Sequence, residues 1–191
     1  PISDKALSDI ANGIISEEAL RLLRESVQRL NHSGVSMIVM PCNTLHIHLE
    51  ELRRISQAPL LNIIEETAKE CQRQAFTKVG LLASTMTVKE QLYTGELAKL
   101  DIDLLLPTEN DQNFIVDCIL RIIDLRTTEK DREGMKQIIE SLRSRGAQAI
   151  ILGCTDLFLM VSGETMPIVD STTVLEKAAV EWMAAQRGQE K

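Results

Sequence analysis

Aromatic residues are scarce in this chain: one tryptophan, one tyrosine and three phenylalanines make up 3% of 191 residues. No basic run is present either, and Asp and Glu outnumber Lys and Arg to leave a net charge of −7. An acidic chain of this kind is a poor candidate for phosphate-backbone binding, so no nucleic-acid partner is expected. No apolar run reaches the roughly 20 residues of a transmembrane helix, and no signal peptide is visible. Membrane partners are therefore not expected. There are only four cysteines, Cys42, Cys71, Cys118 and Cys154, spaced too widely for a disulfide scaffold or a paired-cysteine zinc site. A reducing cytoplasm suits them, and no metal is expected.

What remains is ordinary soluble composition, 44% hydrophobic and 26% charged. The apolar residues are ordered in alternating periods. Ser16 caps a helix bearing Leu20, Leu23, Val27 and Leu30, and Val35–Met40 reads as a strand. A helix bearing Leu45, Leu49, Leu52 and Ile55 follows, then a short strand at Leu60–Ile64 and a helix over 67–75. Lys78–Ala83 is a buried strand, and a helix runs from the Ser84–Thr87 turn to about Lys99. Ile102–Leu106 is a strand, residues 110–125 an apolar helix, and Thr128 with Asp131 a capping box opening another helix. Ala149–Leu152 and Pro167–Val169 are strands, and residues 172–186 a closing helix. Strand and helix alternating with short connections predict a parallel α/β protein.

Two stretches repeat one plan. MIVMPCNTLH, residues 37–46, and AIILGCTDLF, residues 149–158, each run from an apolar strand through a breaker to cysteine, a threonine within two residues, and a helix. Ligands bind at such strand ends in open α/β sheets. A helix amino terminus lowers a thiol's pKa, so Cys42 and Cys154 are expected to be reactive. Either alone would pass for core, as Cys71 and Cys118 do inside amphipathic helices. Repeated in two half-structures, they suit inversion of a carbon centre: one thiolate removes a proton from one face, and the opposed thiol delivers another. That chemistry needs no cofactor. Asn43, Thr44 and Thr155 are placed to hydrogen-bond a substrate carboxylate, and the hydroxyls of Ser84, Thr85 and Thr87 crowd a turn suited to the same task. His46 borders this region. His48 points to another face, so the two are not a metal pair.

PCNTLH at 41–46, GLLAST at 80–85, PTEND at 107–111 and GCTD at 153–156 resemble the aspartate/glutamate racemase family, the aspartate racemase branch most closely. The resemblance runs from SDK at 3–5 through VDSTT at 169–173. It implies two similar parallel-sheet domains with pseudo-twofold symmetry and an active site between them. The first would be residues 1–62 plus 167–191, the second residues 63–166. It implies a cofactor-independent amino-acid racemase, commonly a homodimer, with Cys42 and Cys154 as acid and base. Asn43, Thr44, Thr85 and Thr155, with Ser84, would hold the carboxylate.

Some positions depart from the family pattern. Lys5 matches a family arginine, keeping the charge without the fork. Asp156 replaces the usual glutamate. Counted back from the second cysteine motif without gaps, Asp124 falls at a family basic position, where it would repel an acidic substrate; Arg121 and Arg126 flank it. The family's glycine-rich opening strand and loop precede the point where this chain starts; if that segment is absent from the protein, the chain is expected to be weakly active or inactive. Hydantoin racemase, maleate isomerase, malonate-type decarboxylase and a non-catalytic carboxylate-binding module are the alternatives.

Overall fold

The computed structural model describes residues 16–189. Lys5 therefore lies outside the described residues. The centre is a four-stranded parallel sheet made of β1 (Lys78–Ala83), β2 (Asp103–Leu105), β3 (Ala149–Gly153) and β4 (Ile168–Asp170), in the order β2-β1-β3-β4. β1 and β3 are the buried middle pair, in register from Val79↔Ala149 to Ala83↔Gly153. Every residue of β3 is buried, as strands covered on both faces must be.

Helices cover both faces. On one, α6 (Glu109–Ile123) and α7 (Glu129–Ser144) pack Ile115, Ile119, Met135 and Leu142 against Leu82, Ile150 and Leu152. On the other, α3 (Ile63–Arg73), α5 (Leu92–Ala98) and α8 (Ser171–Gln189) enclose Val79, Leu81, Ala83 and Ile151 with Ile63, Tyr93, Leu97 and Val174. Gly80 is required for close approach, because a Cβ there would stand 2.8 Å from the Ile150 side chain. The expected capping box forms: the Thr128 N–H donates to Asp131 Oδ2 at 2.7 Å, and Arg121 Nε donates to Asp131 Oδ1 at 2.8 Å. The sheet crosses the boundary expected at 166/167, since β4 pairs with β3.

A smaller cluster holds the first cysteine. α1 (Glu17–His32), capped by Ser16 accepting from the Ala19 N–H, packs with α2 (Leu49–Ile55). Val27, Leu45, Leu49 and Leu52 close over Ile38, Met40 and Leu60. The expected strands at 35–40 and 60–64 are reduced to a single parallel bridge, Ile38↔Leu60. The Ile38 N–H donates to Pro59 O and the Leu61 N–H to Ile38 O, but Pro59 has no N–H to extend the ladder. Asn62 then caps α3, so helix begins at Ile63. The single helix expected up to Lys99 is also two, α4 (Thr85–Lys89) and α5, split where Gln91 takes φ +53°.

Candidate active site

Both expected cysteines stand where a chain segment leaves extended backbone for a short 3₁₀ helix, Thr44–His48 after Cys42 and Thr155–Met160 after Cys154. A buried strand end forces the chain to turn, and a proline or glycine before each cysteine ends the extended run. In both copies the backbone N–H groups two and three residues on are directed at the sulfur: Thr44 and Leu45 for Cys42, Asp156 and Leu157 for Cys154. The repeat seen in sequence is thus a repeat of local geometry.

The Cys42 turn is fastened to the carboxyl ends of β1 and β3. The Asn43 side chain is buried; its Nδ2 donates to Ser171 Oγ at 3.0 Å, and its Oδ1 accepts from the Tyr93 hydroxyl at 2.6 Å. Ser171 Oγ in turn donates to Leu152 O at 2.7 Å. Thr44 Oγ1 lies 2.8 Å from Ser84 Oγ and 3.2 Å from Thr87 Oγ1, and the last two are 3.1 Å apart. Ser84 also caps α4, accepting from the Thr87 N–H. Both bonding atoms of Asn43 are engaged within the protein, and the hydroxyls of Thr44 and Ser84 are bonded to each other. These three residues of the expected carboxylate site thus have their bonding atoms engaged inside the protein, Asn43 with Tyr93 and Ser171, Thr44 and Ser84 with each other. Thr85 and Thr155 are only half-buried, each one residue beyond Ser84 or Cys154.

His46 belongs to the same fastening. Its Nδ1 lies 2.8 Å from Cys42 O, while Nε2 accepts from the Ile63 N–H at 3.3 Å. That pair of partners selects the neutral tautomer with the proton on Nδ1, and burial lowers its pKa from the ordinary value. His46 is an anchor for the turn rather than an acid or base.

The expected depressed thiol pKa values are overturned. Burial pushes the Cys42 thiol up and the Cys154 thiol up to about 12, outweighing the two amides aimed at each. A single 3₁₀ turn offers too few aligned dipoles to compensate for lost water. The Asp156 carboxylate raises both thiols further, and Cys42 adds to the rise at Cys154. At neutral pH the resting pair is two thiols, with Cys42 the less strongly shifted. Asp156→Asn is expected to move both ionisations down, because one neighbouring like charge is lost. The pH dependence of iodoacetamide labelling, followed by mass spectrometry at each cysteine, measures this. Cys71 and Cys118, fully buried in α3 and α6, serve as unreactive internal controls.

Asp124 is the exposed C-cap of α6, paired with Arg126, and Arg121 is committed to Asp131. The charge that the gap-free count placed in the substrate's way is therefore answered locally at the α6–α7 turn. Among the described residues no group of three or more His, Cys, Asp or Glu is arranged to hold a metal ion, and no helix is long and apolar enough to cross a membrane. Sequence reasoning missed Tyr93 and Ser171 as supports of the Cys42 turn. Tyr93 is the chain's sole tyrosine, on an otherwise unremarked helix, and Ser171 sits inside the VDSTT segment. It also missed Gln112, whose Nε2 donates to Ala83 O.

Paired strand-end thiols on a parallel α/β scaffold define the class, and comparison with known proteins agrees. Residues 4–179 match the Asp/Glu/hydantoin racemase family. The chain belongs to that family of racemases, which are isomerases. It is 27% identical over 166 residues to the broad specificity amino-acid racemase RacX of Bacillus subtilis, covering 86% of this chain and 72% of that protein. It is 34% identical over 172 residues to a glutamate racemase of Aquifex aeolicus, covering 87% of this chain but only 64% of that protein. Among solved structures, the Picrophilus torridus aspartate racemase superposes with a TM-score of 0.73 at 26% identity, over 86% of this chain and 71% of that one.

Proposed function

We propose that this protein is a cofactor-independent amino-acid racemase acting on aspartate through Cys42 and Cys154. The observation that carries the reading is the duplicated thiol geometry. Two cysteines, 112 residues apart in sequence, each have the amides two and three residues on directed at the sulfur, and the charge of Cys42 reaches Cys154. In this mechanism the less strongly shifted Cys42 supplies the thiolate. Entry of a substrate ammonium beside the pair favours that ionisation, because an adjacent cation stabilises the anion. The thiolate takes the α-proton from one face, leaving its electron pair on the carbon, and the Cys154 thiol delivers its proton to the other face. Cys154 is then the thiolate, ready for the reverse direction. Thr85 and Thr155 hold the substrate carboxylate, while Asn43, Thr44 and Ser84 hold the Cys42 turn at the correct distance. Preference for aspartate follows from the motif resemblance, with a cytoplasmic homodimer as the working form.

Proton NMR in deuterated buffer tests this, with no cofactor added. The α-proton signal of L-aspartate is expected to disappear as deuterium enters, with the D-enantiomer accumulating on a chiral column. Replacement of aspartate by glutamate as the preferred substrate would revise the specificity. Failure of every amino acid tested to exchange would sink the mechanism.

A further inference from the structure

His46 is only 6% exposed and follows Cys42 on the 3₁₀ helix Thr44–His48. Its Nδ1 meets Cys42 O at 2.8 Å, and its Nε2 meets the Ile63 N–H at 3.3 Å. Ile63 is the first residue of α3, so its N–H has no carbonyl of the same helix to bond. Asn62 caps the next amide, that of Ile64, and leaves the Ile63 N–H to the imidazole. The ring is thus a clasp between the Cys42 turn and the start of α3, and it closes only while Nε2 is an acceptor.

An imidazolium has two donors and no acceptor. With Nε2 protonated, two N–H groups face each other and the clasp opens. The Leu61 carbonyl, close enough to the ring to favour its charged form, offers the new Nε2–H another partner. One proton therefore selects between two bonding patterns. The surroundings set the balance. Burial opposes the charge most strongly, and the Cys42 and Leu61 carbonyls favour it. Arg53 of α2 opposes it and Glu65 of α3 favours it, while these two stand 3.6 Å apart as a pair. The net effect is a pKa below the ordinary histidine value, which leaves the clasp closed at neutral pH. The unfolded chain takes up the proton first. The clasp therefore contributes fully above the ordinary histidine range, and its contribution is lost as pH falls below that range.

We infer that His46 is a positioning residue worked by a proton: neutral, it fastens the Cys42 turn to α3, and protonated, it releases the turn, so that mild acid withdraws Cys42 from its place as well as from its thiolate form. The functional half of this inference rests on the racemase reading above; the clasp itself does not.

NMR of the wild-type protein between pH 8 and pH 5 reads the clasp directly. At pH 8 the His46 Nε2 shift is expected to be that of an unprotonated acceptor nitrogen. On acidification the Ile63 amide is expected to shift, and to lose protection from hydrogen exchange by about tenfold for one lost hydrogen bond, with the midpoint of the His46 titration itself. His32, exposed at the end of α1, is the internal reference. An Ile63 amide that ignores the His46 titration, or a ring that stays neutral until the whole protein unfolds, overturns the clasp. Exchange of the aspartate α-proton reads the consequence. Below the His46 transition the wild-type rate should fall by about a hundredfold per pH unit, because thiolate and neutral imidazole are each lost tenfold. In His46→Gln, whose side-chain oxygen accepts at every pH, the fall should be about tenfold per unit. Equal slopes in the two proteins overturn control of Cys42 by His46 while leaving the racemase reading intact. Absence of exchange at every pH overturns the racemase reading, and the NMR titration still decides the clasp.

Discussion

Cys154→Ala is expected to reduce racemisation of aspartate by about 10²- to 10⁴-fold, the range of a single positioned general acid or base. The two single substitutions should not behave alike. In the proposed mechanism Cys42 still serves one side of the α-carbon once Cys154 is removed, so the enantiomer presenting its proton there should exchange slowly in deuterated buffer without inversion. With Cys42 removed, the remaining thiol is the one pushed up to about 12, and exchange from its side should be slower at neutral pH. Exchange and inversion, measured separately from each enantiomer, therefore report which face each thiol serves. The wild-type rate should climb with pH through the alkaline range, because burial raises both thiols and the proposed mechanism runs through the thiolate. Equal loss of exchange from both enantiomers in both variants would argue against two independent faces. A wild-type rate that is flat from pH 7 to 9 would mean that the thiolate is already formed in the bound state.

Much of this site was legible in sequence because its signal is local. An apolar run, a breaker and a cysteine specify a thiol where the chain leaves extended backbone for a turn, and both cysteines stand at such a turn. The ionisation of those thiols was not legible. It depends on how much water the surroundings remove and on the placement of Asp156, whose charge reaches Cys42 from a segment more than a hundred residues away. The reduction of the 35–40 strand to one bridge was hidden for a related reason. The apolar run is strand-like, but a ladder needs partners, and Pro59 withholds a donor where the bridge would continue. The division of labour among the polar residues was equally out of reach. Asn43, Thr44, Ser84, Thr85 and Thr155 look alike as candidates in the sequence. Only the fold separates those whose bonding atoms meet each other from those left half-buried at the strand ends.

Asn43→Ala is expected to cost about 2–4 kcal/mol of stability, the largest single effect among the polar residues of the site. The substitution removes the acceptor of the fully buried Tyr93 hydroxyl and the donor to Ser171 Oγ, which keeps only its bond to Leu152 O, and opens a small void between them. Tyr93→Phe removes one bond of the same chain, leaving Asn43 Oδ1 unpaired, and should cost about 1–2 kcal/mol. Because both substitutions break the Tyr93–Asn43 bond, the double variant should be less destabilised than the sum, with a coupling of about 1 kcal/mol in urea denaturation. The functional consequence separates support from substrate contact. Tyr93 is buried on α5 and its hydroxyl donates to Asn43, so a loss of exchange in Tyr93→Phe is expected to act through the Cys42 turn. A fall in kcat with KM little changed is expected, since the turn sets the position of the base rather than the affinity for the carboxylate. Additive stability losses, or a rise in KM alone, would show that Asn43 serves the substrate directly and that the buried chain from Tyr93 to Leu152 is incidental to where Cys42 stands.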